Sequence, residues 1–352
     1  PHFITAGWLW VDFFFVLSGF IISYVYGENF KGSVTIASYW KYIKARFARV
    51  YPLHFVTMIW CLICAVIIIQ YADGIHPFFW DMLNPMSVIP SLFLTQSLGL
   101  YIAAPLNTPS WSLSTEWWMY MVFPLLVSFF QGVRMFGKIL TLIGSAGVIL
   151  FVKYYLGPVN LPFPGGSPSL NVVSDFGIFR CAAGFLLGML LFSLYQESIA
   201  INFFKQSWVF VVFFIGAMVA MHLGAEDIVV IALFPFIILS AAYNNSAIKK
   251  ILDIPILQRL GDWSFSIYMV HVPIIYVFWI YQTIHDPFKW AKFPPASSVA
   301  PNYTMGLGMC FVIVALTLLL ASVTYKYIEV PARNYLNKRT GSKVLEPVKV
   351  VN

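Results

Sequence analysis

Residues 7–24 read GWLWVDFFFVLSGFIISY, and this stretch decides the fold class. It is continuous rather than alternating in its apolar residues, which excludes a membrane β-strand and selects a helix. Its 18 residues come close to the ~20 of a helix that crosses a ~30 Å hydrocarbon layer. One acid, Asp12, interrupts it. An ionisable group inside such a span costs about 2.5–3.5 kcal/mol on insertion scales, so Asp12 is a candidate for function or for a buried ion pair.

The rest of the chain has the same character. Of 352 residues, 60% are hydrophobic and 18% aromatic, and only 10% carry charge. Soluble domains carry about 25% charged residues, and a soluble surface this apolar would aggregate. The expected fold is an all-α polytopic membrane helix bundle with nine spans: 7–26, 50–71, 111–130, 136–156, 176–195, 207–223, 227–243, 264–284 and 304–325. The apolar run 88–101 is broken by Pro90 and Gly99 and reads as a re-entrant or interfacial piece. Residues 1–339 form one membrane domain, and 340–352 a flexible tail.

Lysine and arginine set the expected orientation. The nine-span reading puts seventeen of the 21 on one side; Lys153, Lys289 and Lys292 lie on the other, and Arg180 lies within a span. The C-terminus then belongs to the cytoplasmic side of the bilayer, and the chain's +7 net charge does not suggest nucleic acid as a partner. Pro1 falls on the outer side, so a tenth span is expected ahead of it. Cys61, Cys64, Cys181 and Cys310 all lie in apolar runs and read as small core residues.

Three charges share one depth. Asp12, Glu116 and Arg180 each lie four or five residues into a span entered from the outer side, roughly 6–8 Å below the boundary. They are expected to meet, either as a helix-joining ion pair or as a polar cavity. Ser112 and Tyr120 stand one turn before and after Glu116, which would put a hydroxyl, a carboxylate and a phenol on one face. His271 lies mid-span, two residues ahead of Pro273, and is either a core residue or a catalytic one. On the cytoplasmic side, Lys44, Arg46 and Arg49 precede a span. They either anchor it or bind the phosphates of a cytosolic donor, since guanidinium groups grip phosphate in bidentate fashion. The acyltransferase-like pattern H-x4-D occurs at His76–Asp81 and His222–Asp227, but both copies lie in outer connections and are set aside. No metal, nucleotide-hydrolysis or serine-hydrolase motif is found.

An ordered series of segments resembles the acyltransferase-3 family of bacterial integral membrane enzymes. The opening stretch is similar to that family's second span. KARFARVYPLHF (44–55) resembles its R-x-x-R-x-Y-P segment, and WSLSTEWWMYMVFP (111–124) its W-S-L-x-x-E…Y…P segment. FRCAAGFLLGMLL (179–191), GDWSFSIYMVHVPI (261–274) and YIEVPARNYL (327–336) continue the series in family order. The resemblance implies transfer of an acyl group, most often acetyl, from acyl-coenzyme A to a hydroxyl of a carbohydrate or related acceptor. The bilayer, acyl-coenzyme A and a glycan or glycolipid are then the partners, acyl-coenzyme A is a co-substrate rather than a resident cofactor, and the place is a bacterial inner membrane. The family's first span carries an arginine and a histidine proposed as the base. His2, outside and ahead of the second span, is not given that role. Glu116 and Asp12 would orient the base or the acceptor, with His271 a further catalytic candidate. Arg46, Arg49 and Lys44 would hold the donor, and Ser112, Tyr120 and Arg180 would line the acceptor site. A flippase for a glycan intermediate, acting without chemistry, is the alternative.

Overall fold

The computed structural model describes residues 5–75, 77–100, 105–130, 134–157, 170–172, 176–286 and 303–339. Among these, all regular structure is helical. Lys289, Lys292, His2, His76 and the tail 340–352 lie outside them. In chain order the helices are α1 (Trp10–Tyr26), α2 (Ile36–Tyr71), α3 (Pro77–Leu83), α4 (Val88–Leu92), α5 (Ser110–Phe130), α6 (Met135–Phe151) and α7 (Gly177–Gln196). They continue as α8 (Ile201–Phe204), α9 (Ser207–Leu223), α10 (Asp227–Tyr243), α11 (Ala247–Leu252), α12 (Pro255–His285), α13 (Tyr303–Thr324) and α14 (Val330–Arg339).

Among the described residues, six stretches are long and apolar enough to cross a membrane: Gly7–Phe30, Ile36–Tyr71, Met135–Leu156, Gly177–Gln196, Pro255–His285 and Gly308–Leu336. By length and composition this count differs in detail from the nine expected, for physical reasons. Helices α9 and α10 have only 17 residues each, short of the usual ~20. Helix α5 is long enough, but its first two turns carry Ser110, Ser112, Ser114, Thr115 and Glu116. The boundaries of α2 also differ: it begins at Ile36, so the cationic segment expected to connect two spans is helical and continuous with the second. At 1.5 Å per residue, α2 is about 54 Å long, more than a bilayer core needs. A reciprocal cap starts it: Thr35 Oγ1 accepts from the Ser38 N–H and Ser38 Oγ from the Thr35 N–H.

The helices gather into two compact units, one of residues 5–43 and 115–258, the other of 44–114 and 259–339. In the first, α1 and α7 pack backbone against backbone. A side chain at Gly19 would put its Cβ 2.0 Å from the Phe185 carbonyl oxygen, and one at Gly188 would put it 2.0 Å from that of Val16. Gly184 and Gly188 form a G-x-x-x-G step, the small-residue spacing that lets membrane helices approach closely. Around this seam, Leu9, Ile149, Val152, Ala183, Ala217 and Phe234 make a buried core. Helix α6 is peripheral, and ion pairs hold it near both ends: Lys138 with Glu197 and Lys153 with Glu226.

In the second unit, Cys61, Cys64, Ala65, Ile68, Leu83, Leu106 and Tyr276 form a core, so the C-x-x-C thiols are packing atoms. The broken stretch after Asn84 contains only the short α4 and turns, with Leu94 and Gly99 at positive φ (54° and 74°). Its carbonyls are taken by side chains. Tyr51 donates to Leu92 O, His54 Nε2 bonds Ser91 O, and Ser114 donates to Leu94 O. Gln96 and Ser97 in turn donate to the carbonyls of Ser110 and Trp111. Non-helical backbone among apolar helices persists only where such partners replace water.

Candidate functional site

The first unit brings three of the expected residues toward one place. Helices α1, α5 and α7 carry Asp12, Glu116 and Arg180 in their first two turns. Arg180 donates from Nε to Asp12 Oδ1 and from Nη2 to Oδ2, both at 2.6 Å. Nη1 reaches Val172 O at 3.4 Å, and the guanidinium carbon lies 4.9 Å from the centre of the Trp8 ring. Both side chains are buried, with 1% and 5% exposure. Two ions leave water at a cost of several kcal/mol each, which only paired, planar geometry of this kind offsets.

Glu116 is different. It is half-buried, and its Oε2 accepts the Tyr120 hydroxyl at 3.2 Å. Tyr120 Oη is also 3.3 Å from Ser18 Oγ of α1. A phenol has one proton to give, so with Tyr120 donating to Glu116, Ser18 donates to Tyr120. Cys181, next to Arg180 on α7, hydrogen-bonds Thr115, the residue before Glu116 on α5. The last turns of the same three helices border a cavity of about 240 Å³. Ser23, Gly27, Val127, Phe130, Phe192 and Ser193 line it, with Lys31 at the edge.

Ser112 has partners of its own. In the second unit it donates to Pro109 O at 3.1 Å and meets Tyr268 Oη at 2.9 Å. The His271 ring lies near Tyr268, with ring centres 6.0 Å apart and planes tilted by 47°. Lys44 is exposed and Arg46 half-buried. Arg49 forms an ion pair with Glu329, whose other oxygen accepts the Ser266 hydroxyl at 2.9 Å. Phe265 lies 5.8 Å below the Arg49 guanidinium.

Sequence reasoning passed over Glu329 and Ser266 as site residues, although both stand in segments it singled out. His54, within KARFARVYPLHF, was not singled out either, and Asn107 was passed over altogether. Asn107 is buried and donates to Thr57 Oγ1 and to Met269 O, both at 3.0 Å. A lone asparagine in PLNTPSW carries no signal for that. In the set-aside H-x4-D copy at 222–227, His222 is exposed and Asp227 accepts the N–H of Leu170 at 3.1 Å.

Comparison with known proteins adds an independent line. The family model described as an acyltransferase domain, Acyl_transf_3, matches residues 2–326. The chain is 29% identical over 300 residues to "Acyltransferase MdmB" of Streptomyces mycarofaciens, covering 78% of this chain and 70% of the relative. It is 31% identical over 123 residues to "Protein 2 in picA locus" of Rhizobium radiobacter, covering 32% of this chain and 62% of that one. No solved structure matches. With the family match spanning nearly the whole sequence and a bundle of apolar helices carrying its motifs, the chain belongs to the acyltransferase-3 family and is a membrane acyltransferase.

Proposed function

We propose that the protein moves an acyl group, most simply acetyl, from acyl-coenzyme A to a hydroxyl of a cell-surface or secreted carbohydrate. The observation that carries the reading is Glu116: a half-buried carboxylate, held by Tyr120 and Ser18, beside the dry Asp12–Arg180 pair. Transfer to a hydroxyl needs a base for its proton and positive groups near the developing oxyanion. Glu116 orients the acceptor hydroxyl or the histidine that takes its proton. Asp12 and Arg180 fix α1 against α7, so that Glu116 has a rigid neighbourhood. Tyr120 and Ser112 offer hydroxyls to a polyhydroxylated acceptor. His271 remains a second candidate for proton transfer, in the unit that also carries Arg46 and Arg49.

The donor meets Arg46, Arg49 and Lys44, whose charges suit the phosphates of coenzyme A. The bias of lysine and arginine to one side supports a cytoplasmic C-terminus in a bacterial inner membrane, with donor and cation cluster on that same side. Lys31 at the cavity edge belongs to it as well.

The test is transfer itself. Membranes holding the protein, given acetyl-coenzyme A with the acetyl group isotopically labelled, are expected to form labelled carbohydrate ester. Mass spectrometry of surface polysaccharide from cells with and without the gene is expected to differ by one acyl mass per modified residue. No ester and no mass difference would overturn the proposal.

A further inference from the structure

We infer that Glu329 is a positioning residue for Arg49, and that the wide helical turn ending at Glu329 serves to aim it. The inference rests on the reading of Arg49 as a donor contact. Helix α13 passes into α14 through a π turn, Tyr325–Glu329. The cause is two residues further on. Pro331 has no N–H to give the carbonyl of Tyr327, and its ring crowds that carbonyl, which lies inside the π turn. Widening the turn moves the carbonyl away and adds one residue to it, which rotates the later residues of the helix by about 100°. The E-x-P pattern of 329–331 thereby gains a mechanical meaning: the proline opens the turn, and the turn directs the glutamate.

Glu329 ends with no side-chain exposure, one oxygen on Arg49 and the other on the Ser266 hydroxyl. Arg49 keeps a quarter of its side chain exposed, with Phe265 beneath its guanidinium. A surface arginine gives up rotamer freedom when it binds an anion; one already oriented by a buried carboxylate gives up less. Glu329 has an opposing effect too, since its negative charge weakens the pull of Arg49 on a phosphate. The two effects predict opposite signs. If charge alone governed the donor, Glu329→Gln would tighten binding; if orientation governs, it loosens it.

The test measures initial rates against acetyl-coenzyme A for the full chain in membranes. Glu329→Gln is expected to raise the donor KM roughly 10- to 100-fold, the range of a charge-assisted contact, with kcat falling no more than a few-fold. Ser266→Ala should raise it in the same direction, about threefold. The double variant Arg49→Ala/Glu329→Gln should be no worse for the donor than Arg49→Ala alone, because the two act as one unit. A donor KM lowered or unchanged in Glu329→Gln, while Arg49→Ala raises it, overturns the inference. If Glu329→Gln does not accumulate, Ser266→Ala decides: an unchanged donor KM overturns the inference. An Arg49→Ala enzyme with a normal donor KM instead overturns the donor reading of Arg49.

Discussion

Two interhelical ion pairs, one in each unit, have similar chemistry and different settings. Asp12–Arg180 is sealed: two hydrogen bonds of 2.6 Å, both side chains almost without exposure, and the α1–α7 glycine seam beside it. Arg49–Glu329 is half open: the carboxylate is buried and the arginine keeps a quarter of its side chain exposed. A sealed pair has no free edge to offer a ligand, and so acts as scaffold. A half-open pair presents a cation whose direction is fixed but whose outer edge can meet a ligand. The comparison teaches that charge type, which the two pairs share, does not separate scaffold from site; exposure of one partner does.

The largest effect expected breaks the sealed pair. Asp12→Ala leaves Arg180 buried without its counter-charge and should cost about 3–5 kcal/mol, read as a lost or strongly lowered thermal transition in detergent. The double variant Asp12→Leu/Arg180→Met should recover much of that loss, since apolar residues of similar volume replace buried ion pairs at little cost. A double variant no more stable than Asp12→Ala would mean the pair does more than hold helices. Next comes Glu116→Gln, expected to lower kcat about 100-fold, the order seen when a positioned proton-transfer group is removed, with folding unaltered. A normal rate would remove Glu116 from the site.

Smaller effects sharpen the same contrast. Gly188→Ala drives a methyl into the Val16 carbonyl and should destabilise by about 1–3 kcal/mol. Tyr120→Phe removes the hydrogen bond to Glu116 and should lower kcat about 10-fold, the low end of the ~1.5–3 kcal/mol for a bond to a charged group, without a change in melting. Gly144→Ala, on peripheral α6 where nothing lies within 4 Å of a new Cβ, should stabilise by about 0.5–1 kcal/mol through helix propensity alone. Equal destabilisation by Gly144→Ala and Gly188→Ala would refute the account of the glycine seam.

Much of this was legible in the residues. Apolar run length gave the helices, and the rule that membrane charges seek each other brought Asp12 to Arg180 across 168 positions. The break at Pro90 and Gly99 announced the non-helical stretch. The features that stayed hidden have common causes. Whether α9 and α10 cross a bilayer depends on a margin of a few residues, finer than any run of apolar letters resolves. Ser112 also meets Tyr268, far along the chain, a partner that periodicity does not name because it carries no tertiary information. Glu329 stood in a quoted segment, YIEVPARNYL, but its partners Arg49 and Ser266 lie far along the chain, where periodicity gives no pairing.

The glycine seam has a dynamic corollary. Where a carbonyl of one helix occupies the space a side chain would fill on another, neither can roll about its own axis without a clash. Helices α1 and α7 therefore turn together, as a fused beam, and any breathing of this unit during a catalytic cycle is taken up by helices with slack around them, α6 first.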